Sequence, residues 1–246
     1  MYQMRVEVMN DSGRWVERYI EFTTPSIPHT YADLGLPSGT IWADKNVGAE
    51  NPWDNGMYFS WGNVEGHTVD ENGYTTYGYS FDENTYSTTL GGQYTGNILD
   101  AEHDAATTYM GSDWHIPTSA ETLELVENTD HYYIDLSGNI VAGPFNHETN
   151  DSDKGLDGSK LRSICFVKKG EAFDYNDRSN FIEFPFAGYC TGSLLGYDSL
   201  NGYVWSSSVI SSSASYSMSI VNDGRLYTAS YIPRYYGLSV RGIKNN

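Results

Sequence analysis

Cysteine is scarce: Cys165 and Cys190 are the only two in 246 residues. Two cannot build a disulfide framework, and their spacing is neither that of a zinc knuckle nor that of a redox pair. The spacing leaves open whether they pair or stay as buried free thiols. Basic residues are also few, 14 Lys and Arg against 32 Asp and Glu, for a formal net charge of -18. Such a surface repels phosphate backbones and anionic membranes, which argues against nucleic acid as a partner. The acidity reads as a solubility feature, with acid-driven metal binding as the alternative. No apolar run reaches the length of a membrane span, so direct membrane insertion is not expected. The start of the chain does not read as a signal peptide.

Catalytic signatures are missing too. There is no Gly-x-Ser-x-Gly elbow, phosphate-binding glycine loop or His-Glu-x-x-His pair. The six histidines are scattered. His115, after Trp114, reads as a hydrogen-bonded structural residue rather than a base. Acidic residues are so common that a carboxylate pair is poor evidence for glycoside hydrolysis. Asp151, Asp153 and Asp157 share a polar loop but lack the EF-hand pattern, so a solvated loop is expected there rather than calcium. No catalytic residue, metal site or cofactor is assigned, and a non-enzymatic protein is expected.

What is abundant is aromatic: Tyr alone contributes 21 residues, beside 25 Gly. This composition is rich in turns and poor in helix formers. Residues 1–24 read as a β-hairpin around the turn Asn10-Asp11-Ser12-Gly13. It either belongs to the main domain or is the end of another module. Residues 25–30 read as a stiff linker. A domain then fills residues 31–246. Strands are expected at 40–43, 58–62, 132–136, 140–142, 163–167, 181–184, 203–206, 216–220, 226–228 and 238–243. Residues 65–96, with Tyr74, Tyr77, Tyr79, Tyr86 and Tyr94, read as a long loop. One helix is expected from about 98 or 100 to Met110, ended by Gly111. A second follows Thr118, whose spacing to Glu121 makes a capping box, with Leu123 and Val126 facing the core. The class is therefore α+β, with two helices and many short strands.

The most distinctive stretch spans about 203–243. Nine of the fourteen residues from Ser206 to Ser219 are serine. Strand alternation predicts Met218 and Ile220 inward with Ser217 and Ser219 outward. Arg225 and Tyr227 are expected outward, and 229–233 at a loop tip. Arg234 and Arg241, cations in an acidic chain, are expected to be held by carboxylates or carbonyls. Tyr gives large contact area at low entropic cost and Ser gives adaptable hydrogen bonds, so this is the composition of a binding surface. The alternative is a merely solvated β surface.

Several anchors occur in a fixed order: Trp42 to Ala49, Tyr58-Phe59-Ser60-Trp61-Gly62, Trp114 to Thr118 with Glu121, Val204 to Ser208, and Gly237 to Arg241. Together they resemble the Fibrobacter succinogenes major paralogous domain family of Bacteroidetes, over about residues 31–243. That resemblance implies a C-type lectin fold of the formylglycine-generating-enzyme-like branch. The end of the chain also resembles the variable region of a diversity-generating retroelement target protein, in which adenine-templated codons vary. Under that resemblance Ile210, Ser212, Ser213, Ser217, Ser219, Arg225, Tyr227, Ser230, Tyr231, Ile232 and Tyr236 are the variable, ligand-binding positions. Trp205, Met218, Ile220, Arg234, Gly237 and Arg241 are the scaffold. The implied partner is a protein or glycan on a host or neighbouring cell. The implied setting is extracellular, on a cell surface or virion such as a phage tail, with oligomerisation on that assembly. The hairpin weakly resembles the last two strands of a fibronectin type III-like repeat. Two departures stand out: the family often has Arg where His115 stands, and Cys165 and Cys190 match no active-site motif of the enzyme relatives. An animal-lectin Glu-Pro-Asn motif is also missing, so carbohydrate specificity is not implied. The rival readings are a non-diversified surface module and a formylglycine-generating-type enzyme relative.

Overall fold

The computed structural model describes residues 2–9, 15–22, 31–146, 156–221 and 224–244, the first two segments as backbone strands. The expected N-terminal hairpin is present as β1 (Tyr2–Met9) and β2 (Trp15–Phe22), antiparallel and in continuous register from Tyr2 opposite Phe22 to Met9 opposite Trp15. Its turn, the 25–30 linker, and Asp151 and Asp153 lie outside the described residues.

Short strands β3 (Tyr31–Ala32), β4 (Ile41–Ala43) and β5 (Tyr58–Phe59) open the next segment. The 65–96 stretch is not a bare loop. It carries two four-residue helices, α1 (Glu83–Tyr86) and α2 (Leu90–Gln93), capped by the side chains of Asp82 and Thr89. Tyr86 is buried, its hydroxyl donating to the carbonyls of Trp61 and Gly91.

The two expected helices follow. α3 (Ala105–Met110) starts later than the sequence suggests, because the Asp104 carboxylate accepts from the Thr107 N–H and fixes the first turn there. Gly111 ends it at φ 107°. α4 (Ser119–Glu127) has the expected capping box: the Thr118 hydroxyl accepts from the Glu121 N–H, and the Glu121 carboxylate accepts from the Thr118 N–H at 2.8 Å. Its buried stripe is Thr122, Leu125 and Val126. Leu123, expected inward, is 37% exposed at the margin of that stripe.

The remaining strands are β6 (Thr129–Asp135), β7 (Ile140–Phe145), β8 (Leu161–Lys168), β9 (Phe181–Pro185), β10 (Tyr189–Thr191), β11 (Leu194–Gly196), β12 (Asn201–Val209), β13 (Ala214–Val221), β14 (Leu226–Pro233), β15 (Leu238–Ser239) and β16 (Ile243–Lys244). They form a four-stranded sheet β7-β6-β8-β9, a three-stranded sheet β16-β4-β3, the pair β10-β11, and a five-stranded sheet β14-β13-β12-β15-β5. The fold is mixed, with few helices and many short strands in several sheets. Among the described residues, no helix is long and apolar enough to cross a membrane.

β12 and β13, in the middle of the five-stranded sheet, are covered on both faces, and this decides the fate of the C-terminal region. One cluster packs Val204, Met218 and Ile220 with Leu125 and Val126 of α4 and with Phe166 and Phe184 of the four-stranded sheet. A second packs Trp205, Leu238 and Val240 with Trp61, Leu99 and Ala105 and Ala106 of α3. A strand buried on both sides has no outward set, whatever its alternation suggests.

Candidate recognition face

β13 is the axis of the candidate site. Its register places Trp205 opposite Ser217 and Tyr203 opposite Ser219 on one flank. On the other flank stand Ile232 opposite Ser215, Ser230 opposite Ser217 and Tyr227 opposite Ser219. A column of small side chains therefore runs between two rows containing bulkier ones. Ser217 is 0% exposed and Ser219 3%. The expectation that these serines point to solvent is overturned: they are small because Trp205, Tyr203 and Ile232 crowd the same face. Their hydroxyls lie 3.4 Å apart.

A second correction concerns residues 229–233, expected at a loop tip. They continue β14. The register shifts between Ser217 and Ser219, which is a β-bulge in the pairing with β14. On one side of the shift Leu226 lies opposite Ile220 and Tyr227 opposite Ser219; on the other, Tyr231 lies opposite Tyr216. Tyr216 shares the pleat face of Met218 and Ile220. The bulge thus sends exposed Tyr227 and exposed Tyr231 to opposite faces of the sheet. The proposed variable set does not form one surface. Ile210, Ser212 and Ser213 sit at the turn between β12 and β13, where Ser212 and Ser213 are exposed. Arg225 is exposed beside Tyr227, donating from Nη1 to its hydroxyl at 3.2 Å. Ser230, Ile232 and Tyr236 are half-buried.

Trp205, Met218, Ile220, Gly237 and Arg241 are buried. Trp205 Nε1 donates to the Phe59 carbonyl at 2.7 Å. A Cβ on Gly237 would stand 2.6 Å from the ring of Phe81, so only hydrogen fits there. Arg241 is held by oxygen acceptors on all sides: Nε to Asn46 Oδ1, Nη1 to the Ala43 carbonyl and Nη2 to the Glu183 carbonyl, at 2.8–2.9 Å. Burial pulls its pKa down to about 9. Arg234 instead lies over the Trp61 ring, 4.2 Å from its centroid, and donates to the Tyr94 carbonyl.

What the fold does bring together is a set of tyrosines, most of which the sequence did not single out. Tyr189 of β10 stacks on Tyr197 at 5.5 Å and on Tyr236 at 5.1 Å, and meets Tyr203 edge-on at 5.4 Å. Tyr235 meets Tyr236 at 5.1 Å. The five rings come from four places in the chain, and each is at least partly exposed. Partial burial raises the phenol pKa of Tyr189, Tyr203 and Tyr235, so these rings present neutral hydroxyls. Tyr197 is 54% exposed and has φ 57°, a conformation bulky residues rarely adopt. The available signal was the spacing of Tyr189 and Tyr197 around Gly192 and Gly196, which marks a hairpin.

Cys165 is in β8 and Cys190 in β10, both free and buried. Burial raises both thiols, Cys190 to about 12. His115 Nε2 lies 3.4 Å from Glu121 Oε1, the pairing that stands where Arg is common in the resembled family. Asp157 pairs with Lys160 at 2.8 Å. Among the described residues, no three His, Cys, Asp or Glu side chains are grouped to hold a metal ion. No family model, curated protein or solved structure matches the chain.

Proposed function

We propose that this chain is a non-catalytic ligand-binding protein that contacts its target through the tyrosine face formed by Tyr189, Tyr197, Tyr203, Tyr235 and Tyr236, with Tyr227 and Arg225 beside it on the sheet. The observation that carries the reading is the convergence of five partly exposed rings from separate elements. Rigid tyrosines supply amphipathic contact area with few rotors to freeze, which is how binding surfaces gain affinity. The C-type lectin architecture is part of this proposal, as is a protein ligand on a host or neighbouring cell met from a cell surface or phage tail. Retroelement diversification would be confined to positions that tolerate change: Ser212, Ser213, Arg225, Tyr227 and Tyr231, with Ile210, Ser230, Ile232 and Tyr236 only where size is kept. Burial of Ser217 and Ser219 favours a smaller variable set than the serine run suggests, and favours the non-diversified surface module as the second reading. The enzyme alternative has less support, since the two thiols sit in different sheets and burial keeps them protonated.

The test is a binding screen against displayed cell-surface proteins, repeated with Tyr197→Ala/Tyr227→Ala. Saturable binding lost in the variant, at unchanged melting temperature, supports the reading; binding that survives both changes overturns it. A template copy of codons 203–243 beside a reverse transcriptase, with adenine differences that spare Ser217 and Ser219, would establish the diversified form.

A further inference from the structure

Residues 58–79 hold a second arrangement that the tyrosine face does not explain. His67 bridges back to Tyr58 through paired backbone hydrogen bonds of 2.8 and 2.9 Å. Its ring stacks on Tyr79 with centroids 3.5 Å apart, and Phe81 stands edge-on to both. Among the described residues, the buried His67 Nε2 finds no hydrogen-bond partner. Ser60, Asn63 and His67 are each more than nine-tenths buried. Burial raises the Tyr79 pKa, and the Ser60 and Asn63 side chains, which face its hydroxyl, hold it down against that larger effect. Native interiors rarely leave such a nitrogen unsatisfied, so His67 Nε2 is open to a partner from outside the chain.

A cavity of about 370 Å³ adjoins His67 and Tyr79, lined also by Glu65, Thr68, Thr76 and Tyr77. At its rim Tyr77 is fully exposed and adopts φ 59°, ψ 17°. A bulky residue in the left-handed region with its ring wholly in solvent gains nothing for the fold, and such residues gather at ligand sites.

We propose that this cavity is a binding site for a neutral saccharide of one or two rings, which rests on Tyr77 and hydrogen-bonds to His67 and Tyr79. The chemistry follows from the lining. Hydroxyl groups both donate and accept, matching a mixed set of phenol, imidazole and threonine hydroxyl groups. An open aromatic face suits the apolar side of a sugar ring. The lining holds no cation, and Glu65 disfavours an anionic ligand. Burial lowers the His67 pKa, which keeps the imidazole neutral and able to donate at one nitrogen and accept at the other. The site stands whether or not the tyrosine face binds a protein.

The experiment is an NMR titration of the full chain with glucose, galactose, mannose, N-acetylglucosamine and the disaccharides of each, read at the His67 imidazole and Tyr77 ring resonances. At least one sugar is expected to give saturable shifts. Tyr77→Ala should weaken it by about tenfold, the loss of one stacking contact, without changing the melting temperature. His67→Gln gives a second, independent loss, and Tyr197→Ala/Tyr227→Ala leaves sugar binding intact. Glucuronic acid should bind more weakly than glucose. Shifts absent across the panel, shifts that Tyr77→Ala and His67→Gln leave unchanged, or soaked crystals showing ordered water only at His67 Nε2 would each overturn the proposal. Tighter binding of the uronic acid would overturn it too.

Discussion

Trp205 and Ser217 stand directly opposite each other on β12 and β13, both almost wholly buried. The indole takes the space that a larger residue at 217 would need, and its Nε1 is fixed to the Phe59 carbonyl. Replacing Ser217 with Tyr forces the sheet or the indole to move, at a cost of about 1–3 kcal/mol or more. Ser212→Tyr and Ser213→Tyr, in the exposed turn, should stay within about 0.5 kcal/mol of the parent. Urea unfolding of the three variants measures the contrast. Equal stability among them would mean that Ser217 is free to vary after all.

Glu183 is a buried polar anchor of the four-stranded sheet. Its carboxylate has no exposure and accepts from Arg162 Nη2 at 3.0 Å, Ser163 Oγ at 2.5 Å, Tyr175 OH at 2.7 Å and Arg178 Nη1 at 3.1 Å. Burial and the adjacent carboxylate push the Tyr175 phenol up to about 12. Both guanidinium groups also lie over the Trp53 ring. Glu183→Ala strands two cations around an apolar gap and should cost about 3–5 kcal/mol. Glu183→Gln keeps the shape and an acceptor oxygen, so it should lose less. Chemical denaturation that ranks Gln at or below Ala would show that packing, not charge, sets the site.

Local chemistry was legible in the sequence wherever a short segment determines its own structure. Thr118 and Glu121 start α4, Gly111 ends α3, and Phe181 to Phe184 form a buried strand, as their spacing predicts. Arg241 was readable as a held cation because an acidic chain rarely buries a guanidinium without acceptors. Arrangements set by distant partners were not legible. Alternation along β13 is real, but it cannot reveal that both faces are covered. The bulge opposite Met218 leaves no mark in residue type, yet it sends Tyr231 away from Tyr227. Tyr189 and Tyr197 enter the candidate face only because β10 bridges to Gly237, a contact across more than forty residues.

The two thiols give a simple test of burial. Cys165 and Cys190 are free and enclosed, and burial raises the pKa of both. The thiolate is the reacting species, so neither should react while the chain is folded. Incubation with the thiol reagent DTNB at neutral pH is expected to release no chromophore from native protein, and two equivalents after denaturation. One fast equivalent in the native state would place Cys190 within reach of solvent and reopen the enzyme alternative.

The pair His115–Glu121 ties the chain before α4 to its capping box, and it titrates in a predictable window. His115 is raised above 6.5, mainly by its hydrogen bond to Glu121, with burial opposing and Asp104 assisting. A raised pKa means that its stabilisation is complete below 6.5 and fades as pH climbs through the folded value. For Glu121 burial works upward, but hydrogen bonds from His115 and Thr118 outweigh it, and the pKa falls below 4.5. Its contribution is therefore present above 4.5 and fades as pH falls. The two conditions overlap between 4.5 and 6.5. His115→Gln removes the charge but keeps the backbone bonds between residue 115 and Ile243. The melting-temperature difference between parent and His115→Gln should peak near about pH 5.5 and shrink by about pH 8.5. A difference that is constant across that range would mean the imidazole is neutral throughout, and that only the Glu121 cap holds this corner.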